Sequence, residues 1–192
     1  MKKKSTCHHK KEIINTLTTI TSMIDPHLYE HGKNVARYAV LLGKALGLSP
    51  IQLDTLYLGA LFHDIGKLGI PFSIIHKKGP LTKQEYTIVK KHPENSIKVL
   101  SIVRDFQAII PMVRHHHELF GGGGYPDGLA GRKILLEARI LAIADAYDAI
   151  TTTRGYRRAH GRKYAINTIL KNTPQQFDPE LVEVFVAFEK KL

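Results

Sequence analysis

The sequence predicts an all-α fold, a single domain built as a helical bundle. Apolar residues recur at three- and four-residue spacing along most of the chain, which is the period of one helix face. Alternating apolar and polar residues, the mark of a half-buried strand, form no run long enough for a sheet. Capping residues and helix stops separate the periodic stretches. A length of 192 residues suits one domain.

Taken in order, Ile13, Leu17, Ile20 and Ile24 predict a first helix that ends near Asp25-Pro26. Val35, Tyr38, Ala39, Leu42, Ala45 and Leu46 mark a second, stopped by Gly47. Ser49 can cap a third, with Pro50 in its first turn, and Leu53, Leu56, Tyr57, Ala60 and Leu61 carry it toward His63. A loop containing Gly66, Gly69, Pro71 and Gly79-Pro80 follows. Thr82-Lys83-Gln84-Glu85 reads as a capping box that opens the next helix. Further helices are expected over 94–104, 106–117, 136–151, 162–171 and 179–190, the last started by Asp178-Pro179. Residues 119–133, rich in glycine, form the one extended loop.

Lysine and arginine outnumber aspartate and glutamate by 28 to 17, for a formal net charge of +11. Such a balance suits an anionic partner. No zinc-finger or RNP-type motif is present, so DNA and RNA are not expected partners. No apolar run approaches the roughly 18 residues that span a bilayer. The basic start, Met1-Lys2-Lys3-Lys4, is followed by no apolar stretch, so no secretory signal is expected. Cys7 is the single cysteine, which rules out an intrachain disulfide and fits a reducing, cytoplasmic setting.

The chemistry points to metal. His115-His116-His117 precede Glu118 and the run Gly121-Gly122-Gly123-Gly124, and His63-Asp64 lie upstream beside Gly66 and Lys67. Adjacent imidazoles and a His-Asp doublet can hold divalent ions close together. His27 and His31 are four apart and share a helix face. His92 lies just before Pro93. Asp145 sits in an apolar helical stretch, where a buried charge needs a cation or a donor. His8, His9, His76 and His160 have no such context and read as surface residues.

These motifs occur in the order of a known family. His63-Asp64-Ile65-Gly66-Lys67 is followed by His116-His117-Glu118, then by Gly124-Tyr125-Pro126-Asp127-Gly128-Leu129. Ala138-Arg139-Ile140, Ile143-Ala144-Asp145-Ala146-Tyr147-Asp148-Ala149, Arg154-Gly155-Tyr156-Arg157 and Phe177-Asp178-Pro179-Glu180-Leu181-Val182 complete the pattern. The chain resembles an HD-GYP domain, the subgroup of the HD superfamily that hydrolyses cyclic dinucleotides. The resemblance divides it into a basic amphipathic helix, residues 1–24, and a metal-dependent phosphohydrolase domain, residues 25–192.

The resemblance implies a helical bundle of the HD superfamily type that holds two divalent ions, iron or manganese. One ion would be held by His31, His63, Asp64 and Asp145. Asp64 would bridge to a second, held by His92, His116 and His117. His27 stands where some members place a glutamate for a third ion and is the candidate third-metal ligand. His63, Asp64 and Lys67 would be catalytic, with Lys67 reaching a phosphate oxygen. Asp25, Asp148, Arg154 and Arg157 would help to bind the nucleotide. Glu118 would be a structural partner, paired to Arg139. The implied substrate is cyclic di-GMP, cleaved by a metal-bridging hydroxide to linear pGpG and on to GMP. A protein partner at the loop around Tyr125 and a homodimer are further expectations.

The chain departs from the family pattern after Glu118. Phe120 stands in place of a tryptophan and Gly121 in place of an aspartate, so a more mobile loop is expected. That departure keeps two alternatives open: hydrolysis of another cyclic dinucleotide or nucleotide, and a cyclic di-GMP receptor that binds without turnover.

Overall fold

The computed structural model describes residues 2–153 and 159–189, with side-chain environments given from residue 9. Ten α-helices span the described residues: α1 (Lys2–Ile24), α2 (Pro26–Ala45), α3 (Pro50–Phe62), α4 (Phe72–Ile75), α5 (Lys83–Val89), α6 (His92–Leu100), α7 (Ile110–His115), α8 (Leu136–Thr151), α9 (Arg162–Lys171) and α10 (Pro179–Glu189). Three short 3-10 segments intervene, at Ile65–Gly69, Arg104–Ile109 and Gly131–Lys133. No strand is present among the described residues.

The helix starts follow the capping chemistry in the sequence. Asp25 caps α2 by accepting a hydrogen bond from the Leu28 amide. Ser49 with Gln52, and Thr82 with Glu85, form reciprocal capping boxes at α3 and α5. Two helix starts differ from expectation, both at proline, and the helix expected to run to 104 ends at Leu100. α6 begins at His92 because Pro93 falls in the first turn, where a missing amide hydrogen costs nothing. The helix expected over 106–117 is instead a 3-10 segment that passes into α7 at Ile110, with Pro111 in the first turn. The predicted loop after His63 also contains helical turns, at Ile65–Gly69 and Phe72–Ile75.

Two apolar cores hold the bundle. The larger joins α2, α3, α8, α9 and α10 through residues such as Val35, Leu42, Leu56, Ile143, Ile169 and Phe185. The smaller gathers Leu58, Phe62, Ile65, Leu100, Phe106 and Val113, and Ile13, Ile14 and Leu17 of α1 pack against it. α1 thus completes the bundle with its apolar face. α3 contributes to both cores, Leu56 and Ala60 to one and Leu58 and Phe62 to the other. Its C-terminal end is therefore held from two sides, and His63 and Asp64 come immediately after it. No helix is long and apolar enough to cross a membrane among the described residues.

Candidate metal centre

Three long helices bring His31, His63 and Asp145 together, with one ligand atom from each within 4.8 Å of the others. His31 comes from the buried face of α2, His63 caps the end of α3, and Asp145 comes from α8. Asp145 Oδ1 lies 3.1 Å from His31 Nε2 and 3.9 Å from His63 Nε2. Each imidazole is fixed from behind. His31 Nδ1 donates to Asp148 Oδ2 at 2.6 Å, and His63 Nδ1 donates to the Ala60 carbonyl at 2.8 Å. Such hydrogen bonds set the tautomer and turn Nε2 inward.

A second cluster comprises Asp64, His92, His116 and His117. His92 opens α6, while His116 and His117 follow α7. His92 Nδ1 donates to the Val89 carbonyl and His116 Nδ1 to the Val113 carbonyl, both at 2.8 Å. Asp64 faces both clusters. Its Oδ2 lies 3.3 Å from His63 Nε2 and 3.6 Å from His31 Nε2. Its Oδ1 lies 3.1 Å from His92 Nε2 and 3.9 Å from His116 Nε2. One carboxylate oxygen per cluster is the arrangement a bridging ligand requires.

The close approach of the segment after Asp64 to α6 depends on Gly66 and Ser96. A Cβ on Gly66 would lie 2.2 Å from the His92 carbonyl oxygen, so only glycine fits. The Gly66 amide donates to Ser96 Oγ at 2.8 Å, and that hydroxyl donates to the His63 carbonyl at 2.9 Å. Ser96 is fully buried and ties the His-Asp doublet to the helix that carries His92. Ser96 carries no signal of its own in the sequence. Only the glycine within His63-Asp64-Ile65-Gly66-Lys67 hinted that another backbone approaches there.

The electrostatics favour bound cations. Burial pushes the Asp64 carboxyl up, but the charges of His63, Lys67 and His92 outweigh it and hold the group well below the usual carboxylate range. Burial acts likewise on Asp145, where the hydrogen bond and charge of His31, together with His63, prevail and keep it ionised. Burial, reinforced by neighbouring imidazoles, pushes His116 well down. Burial is also the main cause that lowers His117, to about 3. The site therefore offers ionised carboxylates at Asp64 and Asp145 and neutral imidazoles at His116 and His117, the forms that ligate metal.

The residues fit the ions that the resemblance implies. His63 Nε2 and Asp64 Oδ1 are buried and have no hydrogen-bond partner among the described residues. Buried polar atoms left in that state are costly unless a further ligand satisfies them. Donors about 2.1 Å from one ion lie within roughly 4.2 Å of each other. Clusters that already fit within 4.8 Å need only a small contraction.

The glycine-rich loop packs beside the second cluster. The Tyr125 ring stacks on His117, with centroids 4.8 Å apart and planes 25° apart. Asp127 pairs with both Arg114 and His115, and its amide donates to Glu118 Oε1 at 2.7 Å. The loop expected to be more mobile is tied by backbone hydrogen bonds from Phe120 to the Gln176 carbonyl and from Gly121 to the Gln175 carbonyl. A Cβ on Gly121 would lie 2.6 Å from Gln175 Oε1, so Gln175 occupies space that an aspartate here would need.

Seven of the eight predicted ligands thus converge: His31, His63, Asp64, His92, His116, His117 and Asp145. His27 does not, because it is exposed on the first turn of α2 and joins neither cluster. Lys67 is partly exposed and ion-pairs with Asp64 Oδ2. Asp148 lies away from the open edge of the site. It is fully buried behind His31, and its second oxygen accepts from Thr152 Oγ1, so both oxygens are engaged within the protein. Asp25 is buried, and beyond its capping bond its Oδ2 lies 3.1 Å from His76 Nε2. His76, read as a plain surface residue, is therefore held by Asp25 and stacked on Phe72. Glu118 pairs with the Asp127 amide rather than with Arg139, which binds Asp178. Arg154 and Arg157 lie outside the described residues.

The chain is similar to known proteins. A cyclic di-GMP phosphodiesterase of Vibrio cholerae is 39% identical over 151 residues, 75% of this chain and 31% of that protein. A 3'3'-cGAMP-specific phosphodiesterase of the same organism is 37% identical over 150 residues, 77% of this chain and 35% of that protein. The chain therefore spans about a third of the length of these two relatives. Among solved structures, a cyclic GMP-AMP-specific phosphodiesterase of V. cholerae superposes with a TM-score of 0.71 over 93% of this chain and 48% of that one. At 21% identity, this likeness bears on the fold alone. The sequence profile described as HD domain matches residues 15–181, and the chain belongs to the HD domain family.

Proposed function

We propose that this chain is a metal-dependent phosphodiesterase that hydrolyses a cyclic dinucleotide, with cyclic di-GMP as the first substrate to test. The observation that carries the reading is Asp64, which turns one carboxylate oxygen toward each of two adjoining ligand clusters. A pair of ions held so would activate water and neutralise the charge that develops on a phosphodiester. Iron or manganese suits the all-imidazole and carboxylate donor set, which contains no thiolate.

The chain's own residues do the rest. His31, His63 and Asp145 would hold one ion and His92, His116 and His117 the other, with Asp64 offering an oxygen to each. The partly exposed Lys67 ammonium stands at the Asp64 edge, where it can bind a non-bridging phosphate oxygen. Arg154 and Arg157 would add guanidinium contacts to the nucleotide. Linear pGpG, and then GMP, are the proposed products, and a cytoplasmic setting is proposed with them. The relatives' names include both cyclic di-GMP and 3'3'-cGAMP, which supports the substrate class more than either member of it.

The test is metal analysis of anaerobically purified protein, coupled to hydrolysis of cyclic di-GMP, 3'3'-cGAMP and cyclic di-AMP. Near two ions per chain and linear product from cyclic di-GMP are expected. Two ions with turnover of another member alone would reassign the substrate. Tight binding without product would make the chain a receptor.

A further inference from the structure

Four of the five converging histidines are oriented through Nδ1: His31 by Asp148, and His63, His92 and His116 by carbonyls of the preceding turn. His117 makes no such bond among the described residues. Its position rests on ring contacts instead. His116 lies 4.1 Å and His92 4.9 Å away between centroids, but both belong to the ligand set themselves. The remaining ring is Tyr125.

We propose that Tyr125 is the positioning residue for His117, and that the glycine-rich loop serves to press its ring onto that one ligand. The inference rests on the two-ion reading above and deepens it. The loop's construction supports it at each residue. The Tyr125 amide donates to the His117 carbonyl at 3.2 Å, which fixes where the ring can fall. Gly124 makes that approach possible, because a Cβ there would lie 2.4 Å from the Leu119 nitrogen and 2.6 Å from the His117 carbonyl oxygen. Downstream, Asp127 is bound by Arg114, His115 and Glu118, so the loop is fastened to residues on both sides of the His116-His117 pair. Lys90 Nζ lies over the Tyr125 ring, 4.9 Å from its centroid, and also 5.1 Å from that of Tyr86. A cation over a ring favours that placement. The Tyr125 hydroxyl makes no hydrogen bond among the described residues, which leaves the ring as the working part.

The ring and its hydroxyl are separable by mutation. The metal-free protein would be titrated with Mn2+ by calorimetry, as wild type, Tyr125→Phe, Tyr125→Leu and Tyr125→Ala. Residues that orient a metal ligand from behind affect affinity about 10–100-fold. Tyr125→Ala is expected to weaken one of two ions by that factor and leave the other unchanged, and Tyr125→Leu to act alike. Tyr125→Phe should restore wild-type binding, which a role for the hydroxyl would not allow. Thermal melts of the metal-free variants should coincide; Tyr125→Leu replaces Tyr125→Ala if the latter melts early. Equal affinity for both ions in wild type and in the Ala and Leu variants would overturn the inference and leave the two-ion reading standing. Loss in Tyr125→Phe as large as in Tyr125→Ala would also overturn it. A wild-type protein that takes up no second ion would overturn both.

Discussion

The two halves of the metal centre are built from different materials. His31, His63 and Asp145 project from α2, α3 and α8, the helices that share the larger core. His31 is gripped between two carboxylates of α8, with Asp145 near Nε2 and Asp148 on Nδ1. The other half rests on the ends of two short helices, α6 and α7, and on a loop. Its imidazoles are backed by neutral carbonyls, and His117 by a tyrosine ring. Only His31 among these imidazoles has a carboxylate behind it; His63, like His92 and His116, is backed by a carbonyl. Packed helices hold geometry better than loops, whose local opening costs less. The first half is therefore the firm site, and the second is the adjustable one.

Asp64 joins the halves, and removing it should have the largest effect. Asp64→Asn keeps the shape but loses the charge that both clusters face. Loss of the bridge should weaken both ions and reduce hydrolysis by at least about a thousandfold, which corresponds to about 4 kcal/mol of barrier. Metal content and initial rates on the same preparations would check this. A variant that keeps two ions and full turnover would show that the halves do not share a ligand.

Asp148 tests the asymmetry itself. Asp148→Asn would replace the anion behind His31 with an amide. Because the group is fully buried behind His31, the effect should be confined to the first ion, whose affinity should fall about 10–100-fold. The second ion should bind as before. A loss spread equally over both ions would mean that the halves are coupled more tightly than their separate supports suggest.

Which parts of this were legible beforehand follows from the range of the interactions. Ser49, Thr82 and Gly47 act within a few residues, so the helices they bound could be read directly. The candidate ligands were legible because most sit at helix ends, while His31 lies within α2 and Asp145 is an acid in an otherwise apolar stretch of α8. The contact of Asp148 with His31 was not legible because it depends on the rotation of α8. Three residues beyond Asp145, Asp148 shares a helix face, but it falls behind His31 rather than in front. Ser96 and the Arg139–Asp178 pair were invisible because their partners are distant in sequence. Pro111 was read as helix interior, although it sets the start of α7.

Acid should separate the halves in the metal-free protein. Burial lowers both His116 and His117 from an ordinary 6.5, and His117 reaches about 3. The unfolded chain takes up protons there that the folded chain refuses. The stability linked to these groups is thus fully present above about 6.5 and is lost as pH falls toward about 3. Asp64 and Asp145 are held below 3.8, so they lose stability in the same direction but only at lower pH. Between pH 6.5 and about 5 the second half should cost roughly 1–2 kcal/mol per shifted histidine. Urea midpoints measured with chelator present would show the fall, and His117→Gln should reduce its slope. A flat profile over that window would contradict the burial of the second half.

The smallest effect is expected at His27, and a small result there is informative. Its neighbour four residues on, His31, points into the firm half, yet His27 itself is exposed and joins neither cluster. Alanine is the better helix former by a few tenths of a kcal/mol, so His27→Ala should leave stability within about 0.5 kcal/mol. Metal content should stay at two per chain, with both affinities unchanged. If the variant instead drops from three ions to two, a further ion sits at the α2 edge of the firm half. The first half would then be the larger assembly, and the contrast between a scaffold-held site and a loop-held one would become a contrast in ion number as well.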